Sequence, residues 1–313
     1  MNEIARLAAE TGASLEQCEA AYGEADGDFE DARKILENWR QRDMPNYSAA
    51  DVKKLREETD APMMECKGAL DEADGDFDKA KTILREKGKA AAAKRADRST
   101  AAGVVAFAAS EDGKTVGGIV LESETDFVAR NEEFIALAQS IAETVRDSVT
   151  VDEAALKERT DAAVATIREN IKVAKYVRLT VENGKVLTYV HHDRTKGAAV
   201  VVEGDATDEV RKVAIQAVAF PPQVLDKSEL SQEKIDAEIE TETQRAINEG
   251  KDEKIARNIA VGRVNKEYIK QVVLLEQPFY LDPSKSVGQY LAESAKGSKV
   301  TKFVYLTVGQ SEA

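Results

Sequence analysis

The sequence predicts an α+β protein: two three-helix modules at the N-terminal end, then two related α+β subdomains with antiparallel sheets and a projecting helical hairpin. Three observations predict this fold class. An internal repeat whose apolar residues have helical spacing fills the first part of the chain. Apolar runs separated by turn residues, the pattern of antiparallel strands, begin at Gly103. A long polar segment with heptad-like apolar positions, interrupted by Gly250, covers about residues 228–271.

The size and charge of the chain limit its function. Its 313 residues are enough for two or more domains with cores of their own. The net charge of -14 argues against direct nucleic-acid binding, because phosphate contact needs clustered lysines and arginines. The first residues lack the apolar core of a signal peptide, and no apolar run is long enough to span a bilayer. We therefore expect a cytoplasmic protein without a membrane partner.

No residue cluster in the sequence points to catalysis. Cys18 and Cys66 are too few for a disulfide framework and fall on inward helix positions, where they act as small apolar residues. His191 and His192 are neighbours on a predicted strand, so their side chains would point to opposite faces and could not share a metal. The sequence shows neither a glycine-rich phosphate loop nor a nucleophile with histidine and acid partners. We therefore expect no cofactor, no metal and no covalent chemistry.

The two helical modules, residues 1–44 and 48–88, are copies of one another at a single constant offset without gaps. Cys18 of the first copy matches Cys66 of the second, and the hexapeptide Glu-Ala-Asp-Gly-Asp-Phe occurs in both. Three short runs with helical spacing predict three helices in each copy. A core this small is marginally stable, so packing against a neighbour or a partner would help it.

Local signals place the helix ends in the second copy. Pro62 suits the first turn of its middle helix, and Met63 is expected on the inward face. An Asp-Gly turn with a capping aspartate, Asp76, leads into the third helix. Gly88 is expected to end that helix, and a basic, alanine-rich linker follows over residues 89–102.

The first α+β subdomain is predicted over residues 103–182. It opens with two apolar runs that flank a turn at 111–114, which is the signal of a β-hairpin. The next helix begins after Asn131, a good N-cap, and a further helix is predicted over 151–170. The apolar stripe of the first of these helices consists of Phe134, Ala138, Ile141 and Val145.

The second subdomain, residues 183–313, repeats the order of strands followed by a helix. A turn at Asn183–Gly184 is expected to join the strand that ends at Thr180 to the one that begins at Val186. A helix over 208–219 should end at Phe220, because the two prolines that follow cannot continue it.

Inside this subdomain, the polar segment 228–271 is predicted to form two antiparallel helices joined at Gly250. They would be either a projecting coiled-coil arm or a solvated surface hairpin without a partner. The apolar positions of the two helices are Ile235, Ile239, Ala246, Ile247, Ile255, Ile259 and Val264.

A corner joins the second predicted strand to the helix that follows Asn131. Phe127 lies in it and has no place in the apolar stripe of that helix. A large apolar side chain at such a corner either folds back as a staple against the helix start or fits a pocket on another protein.

The corner sequence Thr125-Asp126-Phe127-Val128-Ala129-Arg130-Asn131 resembles the TDFVA(K/R)N segment of the bacterial elongation factor Ts family. Residues 167–171, 250–263 and 282–289 are similar to further segments of that family, and the resemblance covers about residues 48–310. It implies a guanine-nucleotide exchange factor that promotes GDP release from elongation factor Tu. It also implies that the second helical module is similar to ubiquitin-associated (UBA) domains.

The resemblance further implies which residues contact elongation factor Tu. The corner would supply Thr125, Asp126, Phe127, Val128, Arg130 and Asn131, and its Asp-Phe pair would reach the surroundings of the nucleotide-bound magnesium. The second module would supply Lys53, Leu55 and Arg56. Gln216 stands where family members commonly have a histidine that contacts elongation factor Tu; glutamine can still form hydrogen bonds but cannot become cationic.

The sequence departs from the family in two further ways. Asp60 stands where glycine is usual. The family normally has one helical module, so the first and more acidic copy is an addition: a spacer, a damaged duplicate or a site for a different partner. The alternative function is therefore a tandem UBA-like adaptor without exchange activity. A homodimer through the core or the arm stays open.

Overall fold

The computed structural model of the chain describes residues 3–42, 46–59 and 61–309. Asp60, one of the departures from the family pattern, lies outside these residues. The chain divides into two compact units, Met1–Ala90 and Ala91–Ala313. The division falls near the end of the repeat, so the helical copies belong to the first unit and the sheets to the second.

Each copy of the repeat contains three helices, as predicted. The first copy has α1 (Glu3–Thr11), α2 (Leu15–Glu24) and α3 (Phe29–Arg42), and the second has α4 (Ala49–Thr59), α5 (Met63–Glu72) and α6 (Phe77–Arg95). Cys18 and Cys66 are fully buried at matching places in the two cores, and burial raises the pKa of the Cys66 thiol. Trp39, the single tryptophan of the sequence, packs half-buried against the core of the first copy.

The repeated Asp-Gly turn has the same conformation in both copies. Its first aspartate is left-handed, with φ of 51° at Asp26 and 53° at Asp74. The second aspartate of the turn, Asp28 or Asp76, accepts a 2.9 Å hydrogen bond from a backbone amide three residues later. It thereby caps the third helix of its copy, as predicted for Asp76.

Two predictions for the second copy are wrong. Met63 is exposed, because Cys66, Ala69 and Leu70 form the inward face of α5. Gly88 does not end α6, which continues to Arg95. Glycine ends a helix where the chain turns left-handed, but Gly88 keeps a helical conformation and an alanine-rich run with high helix propensity follows it.

The first sheet of the second unit is antiparallel, in the order β1-β2-β3, with β1 at Ala102–Ala109, β2 at Thr115–Ser123 and β3 at Lys172–Thr180. The helices α7 (Asp126–Ala129), α8 (Glu132–Asp147) and α9 (Glu153–Ile167) stand between β2 and β3. The predicted stripe of α8 is fully buried against β1 and β2. The helix lies so close to the sheet that a Cβ on Gly117 would come within 2.1 Å of the carbonyl oxygen of Ala142.

The helix predicted over 151–170 is shorter at both ends. Asp152 caps the start of α9 by accepting hydrogen bonds from the amides of Ala154 and Ala155. Arg168 ends it in the left-handed conformation, with φ of 65°. The chain reverses there and enters β3.

The second sheet is also antiparallel, in the order β4-β5-β8, with β4 at Gly184–Val190, β5 at Lys196–Gly204 and β8 at Ser298–Thr307. The turn predicted at Asn183–Gly184 is wrong, because β3 and β4 belong to different sheets and Gly184 pairs with Glu203. An apolar layer joins the two sheets. It consists of Val116 and Leu179 from the first sheet and Val186, Ala199 and Val201 from the second.

The helix α10 (Asp208–Ala219) covers the second sheet and ends before Pro221, as predicted. The remaining elements near the C-terminal end are β6 (Pro278–Phe279), β7 (Asp282–Ser286) and α14 (Val287–Ser294). They enclose the core that α10 forms with β5, in which Phe279 stacks on Tyr290 with ring centroids 3.9 Å apart.

His191 and His192 lie in the turn after β4, not on a strand. Their ring centroids are 4.2 Å apart, so the prediction that they point to opposite faces is wrong. Over residues 3–42, 46–59 and 61–309, no group of three or more His, Cys, Asp or Glu side chains is arranged to hold a metal ion. No helix within those same ranges combines the length and apolar character needed to cross a membrane.

The polar segment forms two helices, α11 (Gln232–Asn248) and α12 (Glu253–Arg263), which pack on each other across a turn at Gly250. The chain continues through a π-helical turn at Val264–Tyr268 into α13 (Ile269–Val272). The fully buried residues of the α11–α12 pair are small: Ala246, Ala256 and Ala260. Of the apolar positions predicted for the two helices, Ala246 and Val264 are buried, whereas Ile255 is exposed. A coiled coil therefore stays a prediction.

Charged residues also join α11 to α12. The Arg263 guanidinium donates to Glu249 at 2.7 Å and to Glu242 at 3.2 Å. The hydrogen bond from Arg263 lowers the pKa of the Glu249 carboxyl. Both acceptors belong to α11 or to the turn after it, so this arginine ties the end of α12 to the preceding helix.

Candidate partner-binding site

The corner between β2 and α8 is built around the single helical turn α7. Thr125 is its N-cap, and its Oγ1 accepts a 3.4 Å hydrogen bond from the amide of Val128. Ala129 is buried in the core below, and Val128 packs half-buried against the same core. Phe127 points away from that core, and 84% of it is exposed.

The interpretation that Phe127 folds back as a staple against the start of the helix is therefore wrong. Val128 and Ala129 occupy the positions next to the core, and one helical turn then places Phe127 on the other side. An exposed phenylalanine on a regular element is an apolar group that water solvates poorly. That Phe127 fits a pocket on another protein stays a prediction.

The polar residues of the corner have two roles. Asp126 and Arg130 form a 3.0 Å ion pair, in which both side chains are mostly exposed. Such pairs add at most about 1 kcal/mol, so either group can exchange its partner for one on another protein. Asn131 Oδ1 accepts a 2.8 Å hydrogen bond from the amide of Glu133 and caps α8 as predicted.

Two residues that sequence reasoning missed anchor this corner from the turn between α9 and β3. Both oxygens of Glu169 accept hydrogen bonds from Thr125: one from its hydroxyl at 2.6 Å and one from its amide at 3.0 Å. The amide of the next residue, Asn170, donates to Glu124 Oε1 at 2.7 Å. The resemblance of residues 167–171 to the family drew attention to this segment, but it did not predict the hydrogen bonds to the corner.

In the second helical copy, two of the three predicted contact residues are accessible. Lys53 and Arg56 are exposed on α4 at a spacing of three, which places them on one face. Leu55 is fully buried in the core of its module, where its side chain is not accessible to a partner. The neighbouring helix α5 carries two exposed methionines that sequence reasoning did not select, Met63 and Met64.

Gln216 is also fully buried, so its side chain is not accessible to a partner in this structure. Its Nε2 donates to Gln277 Oε1 at 2.9 Å and to the Pro278 carbonyl at 3.3 Å. Its Oε1 accepts from the amide of Tyr280 at 2.8 Å. All of its hydrogen-bonding partners in the described structure lie inside the same subdomain.

Exposed apolar side chains flank this buried amide. Phe220 follows the end of α10, and Leu281 lies in the turn between β6 and β7. Both are about half exposed. A phenylalanine directly before two prolines at a helix end was the sequence signal, because the helix cannot extend to cover it.

Comparison with known proteins supplies an independent line of evidence. A family model described as elongation factor TS matches residues 124–310, a range that begins at the corner. Proteins named elongation factor Ts are similar to this chain. That of Clostridium botulinum strain Alaska E43 is 42% identical over 247 residues, and the match covers 72% of this chain and 81% of that protein. That of Acidithiobacillus ferrooxidans strain ATCC 53993 is 41% identical over 237 residues, covering 72% of this chain and 80% of that protein.

Proposed function

Because this chain belongs to the elongation factor Ts family, and is therefore a translation elongation factor, we propose that it acts as the guanine-nucleotide exchange factor of elongation factor Tu. It binds the GDP-bound factor, promotes GDP release and holds the nucleotide-free state, without covalent chemistry. The observation that carries this proposal is Phe127, which stands 84% exposed on an ordered corner. Since translation takes place there, its place of action is the cytoplasm.

The thermodynamics of exchange set what the interface must supply. The exchange factor and the nucleotide weaken each other's binding by the same free energy, because linkage is reciprocal. A thousandfold faster release requires a barrier lower by about 4 kcal/mol. Burial of one phenylalanine contributes about 1.5–3 kcal/mol. Phe127 therefore cannot account for the whole effect.

Other parts of the chain supply the remaining binding energy in this proposal. Phe127 enters the GTPase domain as a wedge, and the exposed carboxylate of Asp126 disturbs the surroundings of the nucleotide-bound magnesium. The UBA-like second module binds through Lys53 and Arg56. The second subdomain presents the surface around Phe220 and Leu281, which replaces the buried Gln216 in this role.

The experiment is the release of a fluorescent GDP from the cognate elongation factor Tu, with the intact protein and with its Phe127→Ala variant. We expect strong acceleration by the intact protein. The variant should be slower by about 10- to 100-fold, which corresponds to the burial energy of one phenylalanine. Its affinity for nucleotide-free elongation factor Tu should change less than the rate.

A matched control is Val149→Ala, which removes another exposed apolar side chain of the same unit, outside the corner. It should leave both rate and affinity unchanged. If Phe127→Ala weakened binding more than it slowed release, Phe127 would be an anchor and not a wedge.

The alternative function is an adaptor whose two UBA-like modules collect other proteins. The specific observation in its favour is the first helical copy, which an exchange factor of this family does not need. Failure of the intact protein to accelerate GDP release would make this alternative the better reading.

A further inference from the structure

The residues that act on a partner at the corner do not hold themselves in place. Phe127 is largely exposed, and Asp126 forms an ion pair with the exposed Arg130. The N-cap bond of α7, from the Val128 amide to Thr125, is long at 3.4 Å. A helix of four residues cannot be stable by itself, because the entropy lost when the first turn is fixed exceeds the free energy gained from its hydrogen bond. Something outside α7 must therefore fix its orientation.

The contact that fixes α7 comes from the chain just beyond the end of the pairing between β2 and β3 in the first sheet. The β2–β3 ladder ends with Glu122 opposite Lys172. Beyond this pair the two chain segments continue to exchange hydrogen bonds through carboxylates. Glu169 accepts from the Thr125 amide at 3.0 Å, and Glu124 accepts from the Asn170 amide at 2.7 Å. The pairing of the two strands is thus prolonged up to the first residue of the corner.

Of these two carboxylates, Glu169 is the one that binds the corner itself. Its two oxygens take both donors of Thr125, the amide and the hydroxyl, which lies 2.6 Å away. Hydrogen bonds to a carboxylate are stronger than those between neutral groups, and two at fixed positions define direction as well as distance. Thr125 immediately precedes Asp126 and Phe127, so its orientation sets the direction in which α7 leaves the sheet.

The turn that carries Glu169 is itself secured. Asn170 is buried, and its Nδ2 donates to the backbone carbonyls of Arg98 at 2.7 Å and Ala96 at 3.2 Å. Arg98 in turn pairs with Glu124 at 3.3 Å. The contact between Glu169 and Thr125 therefore belongs to a connected set of contacts on the core side of the corner, and none of them uses Phe127.

We propose that Glu169 is a positioning residue for exchange: its carboxylate clamps the N-cap of α7 and holds Phe127 and Asp126 in the orientation that acts on elongation factor Tu. This inference rests on the proposed function. A wedge that is already oriented loses less conformational freedom when it binds, and it enters its pocket without a prior rearrangement.

The test is a double-mutant cycle on the rate of GDP release at saturating exchange factor. Glu169→Ala should lower this rate by about 10-fold, because displacement of a reacting group by about 1 Å is enough for losses of that order or more. The affinity for nucleotide-free elongation factor Tu should change by less than about threefold, since other surfaces supply most of it. In the Phe127→Ala background the same substitution should lower the rate by a smaller factor, because only the orientation of Asp126 is then lost.

Conservative variants separate positioning from general loss of stability. Thr125→Ser keeps both donors to Glu169 and should keep the amide protection of residues 124–131, whereas Thr125→Val loses the hydroxyl and should lower both that protection and the rate. Glu169→Gln keeps one acceptor oxygen and should lie between the wild type and Glu169→Ala. The matched control is Glu153→Ala, which removes a carboxylate that accepts a 2.7 Å hydrogen bond from Tyr176 at the other end of α9. It should leave the rate unchanged.

Two results of the rate measurements would overturn the clamp: an unchanged rate in Glu169→Ala, or equal losses from this substitution with and without Phe127. Amide hydrogen exchange of residues 124–131 makes its failure distinguishable from that of the proposed function. If the intact protein does not accelerate GDP release, the exchange function fails. Faster amide exchange in Glu169→Ala than in the wild type would still show the clamp, and unchanged protection would overturn it.

Discussion

A single buried amide, Gln216, connects two chain segments in the second subdomain, α10 and residues 277–280. It lies on α10 and holds Gln277, Pro278 and Tyr280 next to the C-terminal end of that helix. Gln277 continues the chain of contacts, because its Nε2 donates to the carbonyl of Phe220 at 2.9 Å. The exposed Phe220 and Leu281 therefore owe their positions to a side chain that no partner can reach.

We expect Gln216→Ala to lower the free energy of unfolding by about 2–4 kcal/mol. The substitution leaves the Tyr280 amide and the side-chain oxygen of Gln277 without their partner inside the core, and an unsatisfied buried polar group costs about 1–3 kcal/mol. Chemical denaturation monitored by circular dichroism measures the change. Gln223→Ala, at an exposed position nearby, is the control and should change stability by less than about 0.5 kcal/mol. A neutral Gln216→Ala would show that the network relaxes at no cost.

The pair α11–α12 shows how small residues define an element. Alanines occupy its fully buried positions, so the two helices approach closely over that part. The isoleucines of the heptad-like pattern lie half-buried or exposed beside them. An exposed Ile255 on this pair is a candidate contact for another molecule, but it is also ordinary for a surface helix.

We expect Ala260→Leu to destabilise the chain by about 1–3 kcal/mol, because the added carbons must force the helices apart or adopt a strained rotamer. Ala237→Leu, an exposed position on α11, adds the same atoms without a neighbour to displace and should be close to neutral. Thermal unfolding of both variants checks the difference. Equal stability of the two would mean that the helices of the pair are not closely packed.

Elements with a strong local signal could be predicted from the sequence. The apolar stripe of α8, the Asn131 cap and the proline end of α10 each depend on residues within one or two turns, and the structure confirms all three. The turn at Asn183–Gly184 and the helix stop at Gly88 also looked local, and both are wrong. In each case residues farther away determined the outcome. Gly184 begins β4, which pairs with β5 and not with β3, and the alanine-rich run after Gly88 continues α6.

The candidate site could likewise be predicted only where the signal is local. Phe127 could be found because a large apolar residue outside every stripe is itself a signal. Glu169 could not, because a hydrogen bond across 44 positions leaves no periodicity in the sequence. Leu55 and Gln216 were selected through resemblance and lie in the core, since a family pattern records fold and contact residues alike.

For the chain as a whole, the open question is the first helical copy. Its three helices repeat those of the second copy, yet its net charge is more negative and its surface residues differ. We propose that the second copy makes the contact with elongation factor Tu. The first copy then has no part in exchange.

We expect deletion of residues 1–44 to leave both the GDP release rate and the affinity for elongation factor Tu unchanged within about twofold, as for parts without shared contacts. Fluorescent GDP release and a titration with nucleotide-free elongation factor Tu measure the two quantities. The matched change is the double substitution of Lys53 and Arg56 by alanine in the second copy, which should weaken binding. Weaker binding after the deletion would overturn the assignment of the two copies.

The half-buried Trp39 gives the two copies different optical properties. Excitation at the red edge of indole absorption selects this one residue, so the emission of the whole chain reports the surroundings of α3 alone. Its wavelength should shift to the red when the core of the first copy opens and water reaches the ring. Comparison of that shift with the loss of helical ellipticity would reveal whether the added copy melts by itself, without any label attached to the protein.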